Sequence, residues 1–505
     1  LSEVLYYIVL LLYLLPMLFI FGYSLAQLSL VILYWKDKKG GRRRSHRGSG
    51  ASRCGGKEER KQGEKEEETT IPEHWPKVTV QLPVYNERYV VERLIDTITA
   101  FDYPRELLEI QLLDDSTDDT TALIARRVAK YQAAGFTIDH VRRPERTGFK
   151  AGALAFGLER AQGEYVAIFD ADFLPPADFL KRTVPYFRDP EVGVVQTRWG
   201  HLNEDYSLIT RMQSFGLDAH FTIEQVGRNT GGHFINFNGT AGIWRKATIE
   251  DAGGWSADTL TEDLDLSYRA QQRGWRFVYL EDQVSPAELP VTMPAVKSQQ
   301  YRWTKGAAEC ARKNLLPVWR DRALPLATKL HASFHLLNSA IFICTLSIAL
   351  LSVPMLLLEV PWGWLAFFQV SMVILALFYW TAFQKKSGVW EFIILFPTFL
   401  AIMLGLSLHN AVAVMEGYLG RKSPFVRTPK FNVRNRTDRW QSNAYNARRI
   451  PPLTWMELVL VLYFAAGLIY GLATGQYGAL GFHLLLVLGY GFVAFYSVRH
   501  SLVKP

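Results

Sequence analysis

Apolar residues are segregated along this chain, and that segregation constrains its fold more than any other feature. Hydrophobic residues make up 49% of the 505 positions, but the long apolar runs crowd into Val4 to Trp35 and into the stretch from about Leu330 to the carboxyl end. The segment between has ordinary globular composition. Membrane-embedded helices on both sides of a water-soluble domain are the expected result. Leu5 to Tyr34 is too long for a signal-peptide core and has no small-residue cleavage site before its basic flank, so it reads as a spanning helix. That flank, Lys36 to Arg47, follows the run, which puts the amino terminus outside and the next domain in the cytosol. The formal net charge of +8 gives no reason to expect nucleic acid as a partner, because Lys36 to Lys39, Arg42 to Arg44 and Lys385-Lys386 all lie beside apolar segments. Cys54, Cys310 and Cys344 are scattered, which argues for a reducing compartment without a disulfide framework or zinc site. Gly40 to Thr70 has almost no apolar residues and reads as a disordered tether.

From Lys77 to about Gly306 strand-like and helix-like runs alternate. Strands are expected at Val78 to Pro83, Glu109 to Leu113, Phe136 to Val141, Tyr165 to Phe169 and Val192 to Thr197, with helices at Glu87 to Ala100 and Thr120 to Ala133. Such βα units build a mostly parallel sheet covered by helices on both faces, an α/β fold. Polar clusters follow three of the strands: Tyr85-Asn-Glu87, Asp114 to Asp119, and Asp170-Ala-Asp172. Ligands of open α/β sheets bind at that edge. Two carboxylates one residue apart repel unless a cation neutralises them, and Mg2+ or Mn2+ carrying a diphosphate suits such hard oxygen donors. His201, His220 and His233 show no metal-ligand spacing and are expected to be structural.

Tyr85-Asn-Glu87, Leu113 to Asp118, Lys150 to Leu154, Phe169 to Asp172, Phe237 to Thr240, Thr261-Glu-Asp263 and Gln299-Gln-Tyr-Arg-Trp303 together resemble the membrane-embedded family 2 glycosyltransferases. Cellulose synthases are similar, and Phe237 to Gly242 with Glu288-Leu-Pro290 is more similar to the cellulose-synthase-like mannan and glucan synthases. The resemblance implies a cytosolic GT-A type nucleotide-sugar domain inserted between transmembrane and interfacial helices. It implies Asp263 as general base, Asp172 with Asp170 as metal ligands, and a donor site of Tyr85, Glu87, Asp114, Asp115, Lys150, Asp170, Gln299, Arg302, Thr428 and Lys430. Trp303, Phe237, Asn238, Gly239, Thr240 and Glu262 would hold the acceptor. Elementary chemistry supports several of these roles. A metal ion offsets charge on a departing diphosphate, arginine forks onto phosphate, and an indole offers a flat face to a sugar ring.

The expected order is a transmembrane helix over 1–35, a disordered charged linker over 36–75, the GT-A domain over 76–306 and interfacial helices over 307–329. Two transmembrane helices over 330–388, an interfacial or re-entrant segment over 389–419, a gating-loop region over 420–452 and two last spans with a cytosolic tail over 453–505 follow. Within the loop, Phe425, Thr428 and Lys430 match the family's gating pattern. Val389 to Leu408 is apolar enough to span, but Pro397, Gly405 and His409-Asn410 fit a bent segment better. The expected activity is an inverting, processive β-1,4-glycosyltransferase that elongates a glucan, mannan or glucomannan from UDP-glucose or GDP-mannose and passes it across the bilayer. A non-processive glycolipid glycosyltransferase and a catalytically silent export subunit are the alternatives, and the cell (inner) membrane is expected over the Golgi.

Overall fold

Seven strands form the sheet of the central domain: β1 Val78–Val84, β2 Leu108–Asp114, β3 Thr137–Val141, β4 Tyr165–Ile168, β5 Val192–His201, β6 Gly242–Arg245 and β7 Arg276–Ala287. The computed structural model describes residues 2–47, 74–358, 360, 369–441, 443–446 and 449–502. The strand order is β3-β2-β1-β4-β6-β5-β7. β1 runs parallel to β2 and β4, and β2 parallel to β3. β6 is antiparallel to both β4 and β5. The sheet is therefore mostly parallel, as expected, with one reversed strand that the sequence reading lacked. Four residues, Gly-Ile-Trp-Arg, are too few to display a period.

Register places the polar clusters side by side. Val84 pairs with Asp114, and Gln81 with Ile168, so the chain leaves β1, β2 and β4 at one edge. Asn86 there has φ 55°, a left-handed turn, and the expected helix from Glu87 begins only at Val91. β4 itself ends at Ile168, so Asp170 and Asp172 lie in the turn beyond it rather than on the strand.

One apolar core on the sheet includes Val80, Leu82, Ile110 and Phe169. A second includes Val166, Ile168 and Trp244, and it takes in Leu30, Val31 and Tyr34 from the first helix. That helix, Ser2–Arg47, is 46 residues long, or about 69 Å at 1.5 Å per residue. This is more than twice the hydrocarbon thickness of a bilayer, and its second half packs on the central domain. At Gly227 a Cβ would come within 2.7 Å of the Leu30 carbonyl, so the two backbones nearly touch. The disorder expected from Gly40 is thus corrected as far as Arg47, where the chain is helical; 48–73, with Cys54, lie outside the described residues.

Four described helical segments are long and apolar enough to cross a membrane: Tyr6–Gly40, Ala340–Leu357, Leu453–Thr474 and Tyr477–Ser501. The chain is a membrane protein. The span expected over Leu330 to Leu358 is broken, since Leu326–Leu336 is a separate helix. Gln369–Phe383 is a shorter apolar helix, and 364–368 lie outside the described residues. The expected interfacial helix from Ala307 is part of Met293–Arg320, one helix that also carries Gln299, Arg302 and Trp303.

Val389–Gly405 and Ser407–Tyr418 meet at a bend of 51°. Both ends of this pair lie against the central domain. At the start Lys386 pairs with Glu204 and Asp218 at 2.8 and 2.7 Å, and at the end Glu416 accepts from Lys305 at 3.3 Å. The bend crosses Leu480–Ser501 at Gly405 and Gly489. A Cβ at Gly405 would meet the Gly489 carbonyl oxygen at 2.2 Å, so only glycine allows the approach. At the far end of the last helix, His500 accepts from the Met293 N–H at 3.0 Å, and so returns to the central domain.

Candidate active site

The edge where β1, β2 and β4 end opens into a cavity of about 180 Å³. Tyr85 and Glu87 follow β1, Asp115 follows β2, Asp170 and Asp172 follow β4, and all five line it. Asp115 is held by a forked pair of bonds from Arg143 at 2.7 and 2.6 Å. Arg146 lies over the Tyr85 ring at 3.4 Å. An aromatic face, a guanidinium and carboxylates so grouped suit a planar, hydrogen-bonding ligand such as a nucleobase. Asp114 is turned away: it is 2% exposed, bonded to His140 at 2.8 Å and to the Ser116 N–H at 2.8 Å. Its place is to hold the turn, a correction to its expected contact with donor.

Each of the paired aspartates takes a lysine. Lys150, at the start of the helix Phe149–Leu158, reaches Asp170 at 2.6 Å and the Gly239 carbonyl at 2.9 Å. Lys430 reaches Asp172 at 2.7 Å. Among the described residues no group of three or more His, Cys, Asp and Glu side chains could hold a metal ion. Two carboxylates that share a turn still fit magnesium or manganese, which takes one or two carboxylates and completes its shell with water and substrate phosphate oxygens.

Asp263 and Glu262 open the helix Glu262–Gln272 and line the same cavity. The N-cap residue Thr261 makes no side-chain cap, and one oxygen of the Asp263 carboxylate accepts from the Leu264 N–H at 2.9 Å. Burial, with the charge of Glu262 beside it, raises the Asp263 pKa to about 7. A carboxylate poised near neutrality is matched to proton abstraction. Gly239, at φ 78°, faces it closely, since a Cβ there would lie 2.9 Å from Asp263 Oδ2. Asn238 lines the cavity as well. Phe237 and Thr240 do not. Phe237 is fully buried against Trp244, and Thr240, also buried, accepts from the Asp170 N–H at 2.9 Å. Phe237 is drawn into the core by Trp244, and after the left-handed turn at Gly239 the Thr240 hydroxyl serves the Asp170 backbone, which corrects their expected place in the acceptor site.

Gln299, Arg302 and Trp303 reach the cavity from the helix Met293–Arg320. Arg302 donates to Thr428 at 2.8 Å and lies over the Phe425 ring at 4.7 Å. Phe425 stacks on Phe149 at 5.6 Å. The loop after Tyr418 therefore covers the cavity, with Arg427 at 3.0 Å from Glu87 and Lys430 on Asp172. Burial pushes the Glu87 carboxyl up to about 8, and Arg427 opposes that rise. Arg427, Arg143 and Arg146 went unassigned in the sequence reading; their signal was only basic charge near a motif. Trp303 and Gln299 also line a second, mainly apolar cavity of about 590 Å³ between the membrane helices, together with Ile341, Phe342, Phe399 and Phe492.

Residues 76–306 match the family described as "Glycosyltransferase like family 2". The chain is 37% identical over 378 residues to the probable glucomannan 4-beta-mannosyltransferase 11 of Oryza sativa subsp. japonica, across 72% of this chain and 65% of that protein. To glucomannan 4-beta-mannosyltransferase 7 of Arabidopsis thaliana it is 35% identical over 448 residues, across 85% of this chain and 78% of the relative. Among solved structures, a mannosyltransferase from Pyrobaculum calidifontis in complex with GDP-Man and Mn2+ superposes with a TM-score of 0.51 over 81% of this chain and 100% of that one. At 20% identity that likeness is one of fold, the GT-A type.

Proposed function

The chain belongs to the cellulose-synthase-like branch of the family 2 glycosyltransferases, and on that premise we propose that it is a processive, inverting β-1,4-hexosyltransferase that extends a glycan from a nucleotide diphosphate sugar. The observation that carries the reading is Trp303. It lines the nucleotide-side cavity beside Asp263 and also the cavity between the membrane helices, so one indole stands where an acceptor chain would pass from the first to the second. The relatives' names put mannose ahead of glucose, and hence GDP-mannose ahead of UDP-glucose. Their plant origin favours an internal membrane such as the Golgi over the cell membrane.

Asp263 removes the proton from the acceptor hydroxyl, whose oxygen attacks the anomeric carbon as the bond to the diphosphate breaks on the opposite side. Opposite-side attack on an α-linked donor leaves a β-linkage. Arg302 offsets charge on the leaving group, and Lys150 holds Asp170 and Gly239 in register with Asp263. A bound magnesium or manganese, held by Asp172 and Asp170, would add Lewis-acid stabilisation. Thr428 and Lys430 close the loop over the donor and exclude water. Purified protein incubated with GDP-mannose, UDP-glucose or both should yield a long β-1,4-linked polymer. Short lipid-linked product would replace this reading with the glycolipid one, and no product from either donor would sink both.

Trp303→Ala should shorten the product or lower acceptor use by about tenfold or more, as losing the burial of a large apolar ring face costs about 1.5–3 kcal/mol, while nucleotide affinity holds. Equal loss of both would point to damage of the helix Met293–Arg320.

The same premise supports a topology. The bent pair Val389–Tyr418 begins and ends on the central domain's side, so it enters the bundle and returns without crossing. Five crossings then remain, if Gln369–Phe383 is one, and the loop after Tyr418 and His500 share the cytosolic side with the domain. A cysteine in place of the exposed Val426 should react with a membrane-impermeant thiol reagent in vesicles whose cytosolic face is outward, and stay unlabelled in vesicles of the opposite orientation. The reverse pattern would overturn the re-entrant assignment.

A further inference from the structure

We propose that Lys430 is a resident cation on Asp172, so that a divalent ion binds this carboxylate well only by displacing the loop. The inference rests on the metal reading of Asp170 and Asp172 given above. The two lysines of the site are not equivalent. Lys150 belongs to the domain itself and is shared between Asp170 and the Gly239 carbonyl, so it stays whatever the loop does. Lys430 arrives with the loop. Its ammonium lies 2.7 Å from Asp172 Oδ2 and 3.3 Å from the Glu288 carbonyl oxygen.

Asp172 is 3% exposed, and the same Oδ2 also accepts from the Glu288 N–H at 3.2 Å. Lys430 is no freely moving surface side chain, because the loop backbone next to it is pinned: Glu288 accepts from the Phe431 and Asn432 N–H groups at 2.8 and 2.9 Å. Arg427 makes the matching contact on Glu87. The wall of the cavity carries seven Asp and Glu side chains against five Lys and Arg, and two of those five, Arg427 and Lys430, come from the loop. An open loop therefore leaves a pocket whose carboxyl groups outnumber its basic side chains, which attracts either a divalent ion or the loop's own cations.

The two compete for Asp172. The ammonium and the Glu288 N–H both bond Oδ2, so an ion would meet only Oδ1 of a carboxylate whose charge is already matched, and two cations at one buried carboxylate repel strongly. With the loop closed the ion is thus disfavoured at Asp172, and it binds well once the loop has let go. Donor diphosphate then gives Lys430 an alternative anion, so that reclosure over the loaded site no longer needs Asp172. The device links metal loading to substrate arrival, since metal alone must compete with the loop while metal with diphosphate need not.

The test is Mn2+ binding to the full-length protein without nucleotide, read from the electron paramagnetic resonance signal of free Mn2+. Lys430→Gln should bind Mn2+ at least about tenfold more tightly than the unaltered protein, as expected if the receptive open form is about a tenth of the population. Asp172→Asn should abolish that binding in both backgrounds. Equal affinities with and without Lys430, both lost on Asp172→Asn, would overturn the displacement and leave the metal reading standing. Binding indifferent to Asp172→Asn would overturn the metal reading and the displacement with it. A second measurement keeps Lys430 in place. Thr428 is 4% exposed, so a Thr428→Cys thiol, in a background with Cys54→Ser and Cys344→Ser, should be alkylated faster when Mn2+ alone is added. A rate unmoved by Mn2+ would overturn the proposal.

Discussion

Asp263→Asn should lower turnover by a factor on the order of 100 or more while leaving donor affinity within a few-fold, because the amide keeps the shape of the side chain and loses only its ability to take a proton. The measurement is turnover alongside nucleotide-sugar binding in the same preparation. A pH dependence belongs to the same prediction. The base acts when ionised, and burial beside Glu262 puts its pKa at about 7. kcat/KM should therefore rise with pH, with an acid limb centred near 7, and Asp263→Asn should erase that limb. Stability should move the other way. A carboxyl whose folded pKa lies above its unfolded value costs the folded state stability as pH rises through that interval, so the variant should melt no lower than the parent above pH 7. A variant that loses donor binding, or melts markedly lower, would make Asp263 a structural residue of the helix Glu262–Gln272.

How much of this site could be read before the fold was known follows from what each signal depends on. The clusters after β1, β2 and β4 were legible because an apolar run that ends abruptly in carboxylates needs only local pattern, and the parallel register then brings the ends together. Asp114, Phe237 and Thr240 were misplaced for a local reason too. A motif names a stretch without saying which of its members faces the ligand, and in a turn that depends on the local backbone, as at Gly239 with φ 78°. Asp115 faces the cavity and Asp114 the turn beneath it. Arg427 and Glu288 make contacts with Glu87 and Asp172 across 340 and 116 residues of chain, so although Glu288 lies in a recognisable motif nothing local shows what either residue touches. In the membrane part, hydropathy located the apolar helices. It could not see that Ser2–Arg47 outlasts the bilayer by packing on the domain, or that Lys386 and Glu416 tie both ends of a bent pair to one side.

The second large effect concerns Asp172. Excess chelator should abolish turnover, with Mn2+ or Mg2+ restoring it, and Asp172→Asn should lower turnover by a factor on the order of 1000 or more that no added metal restores. The size follows from where the carboxylate stands. It is buried beside Glu288, whose own carboxyl burial pushes up, and across the turn from Asp170. A neutral amide there can neither bind a hard cation with comparable strength nor match the charge of Lys430, so one substitution removes the metal ligand and strands the ammonium. Restored activity on removal of Lys430 from the Asp172→Asn protein would show that the stranded ammonium alone was the obstacle. Continued inactivity of that double variant, with donor still bound, is the expected result, since the departing diphosphate would still lack its counter-charge. Full activity in chelator would refute metal dependence and leave the basic side chains of the cavity wall, Lys150, Arg302 and Lys430 among them, to offset the leaving group.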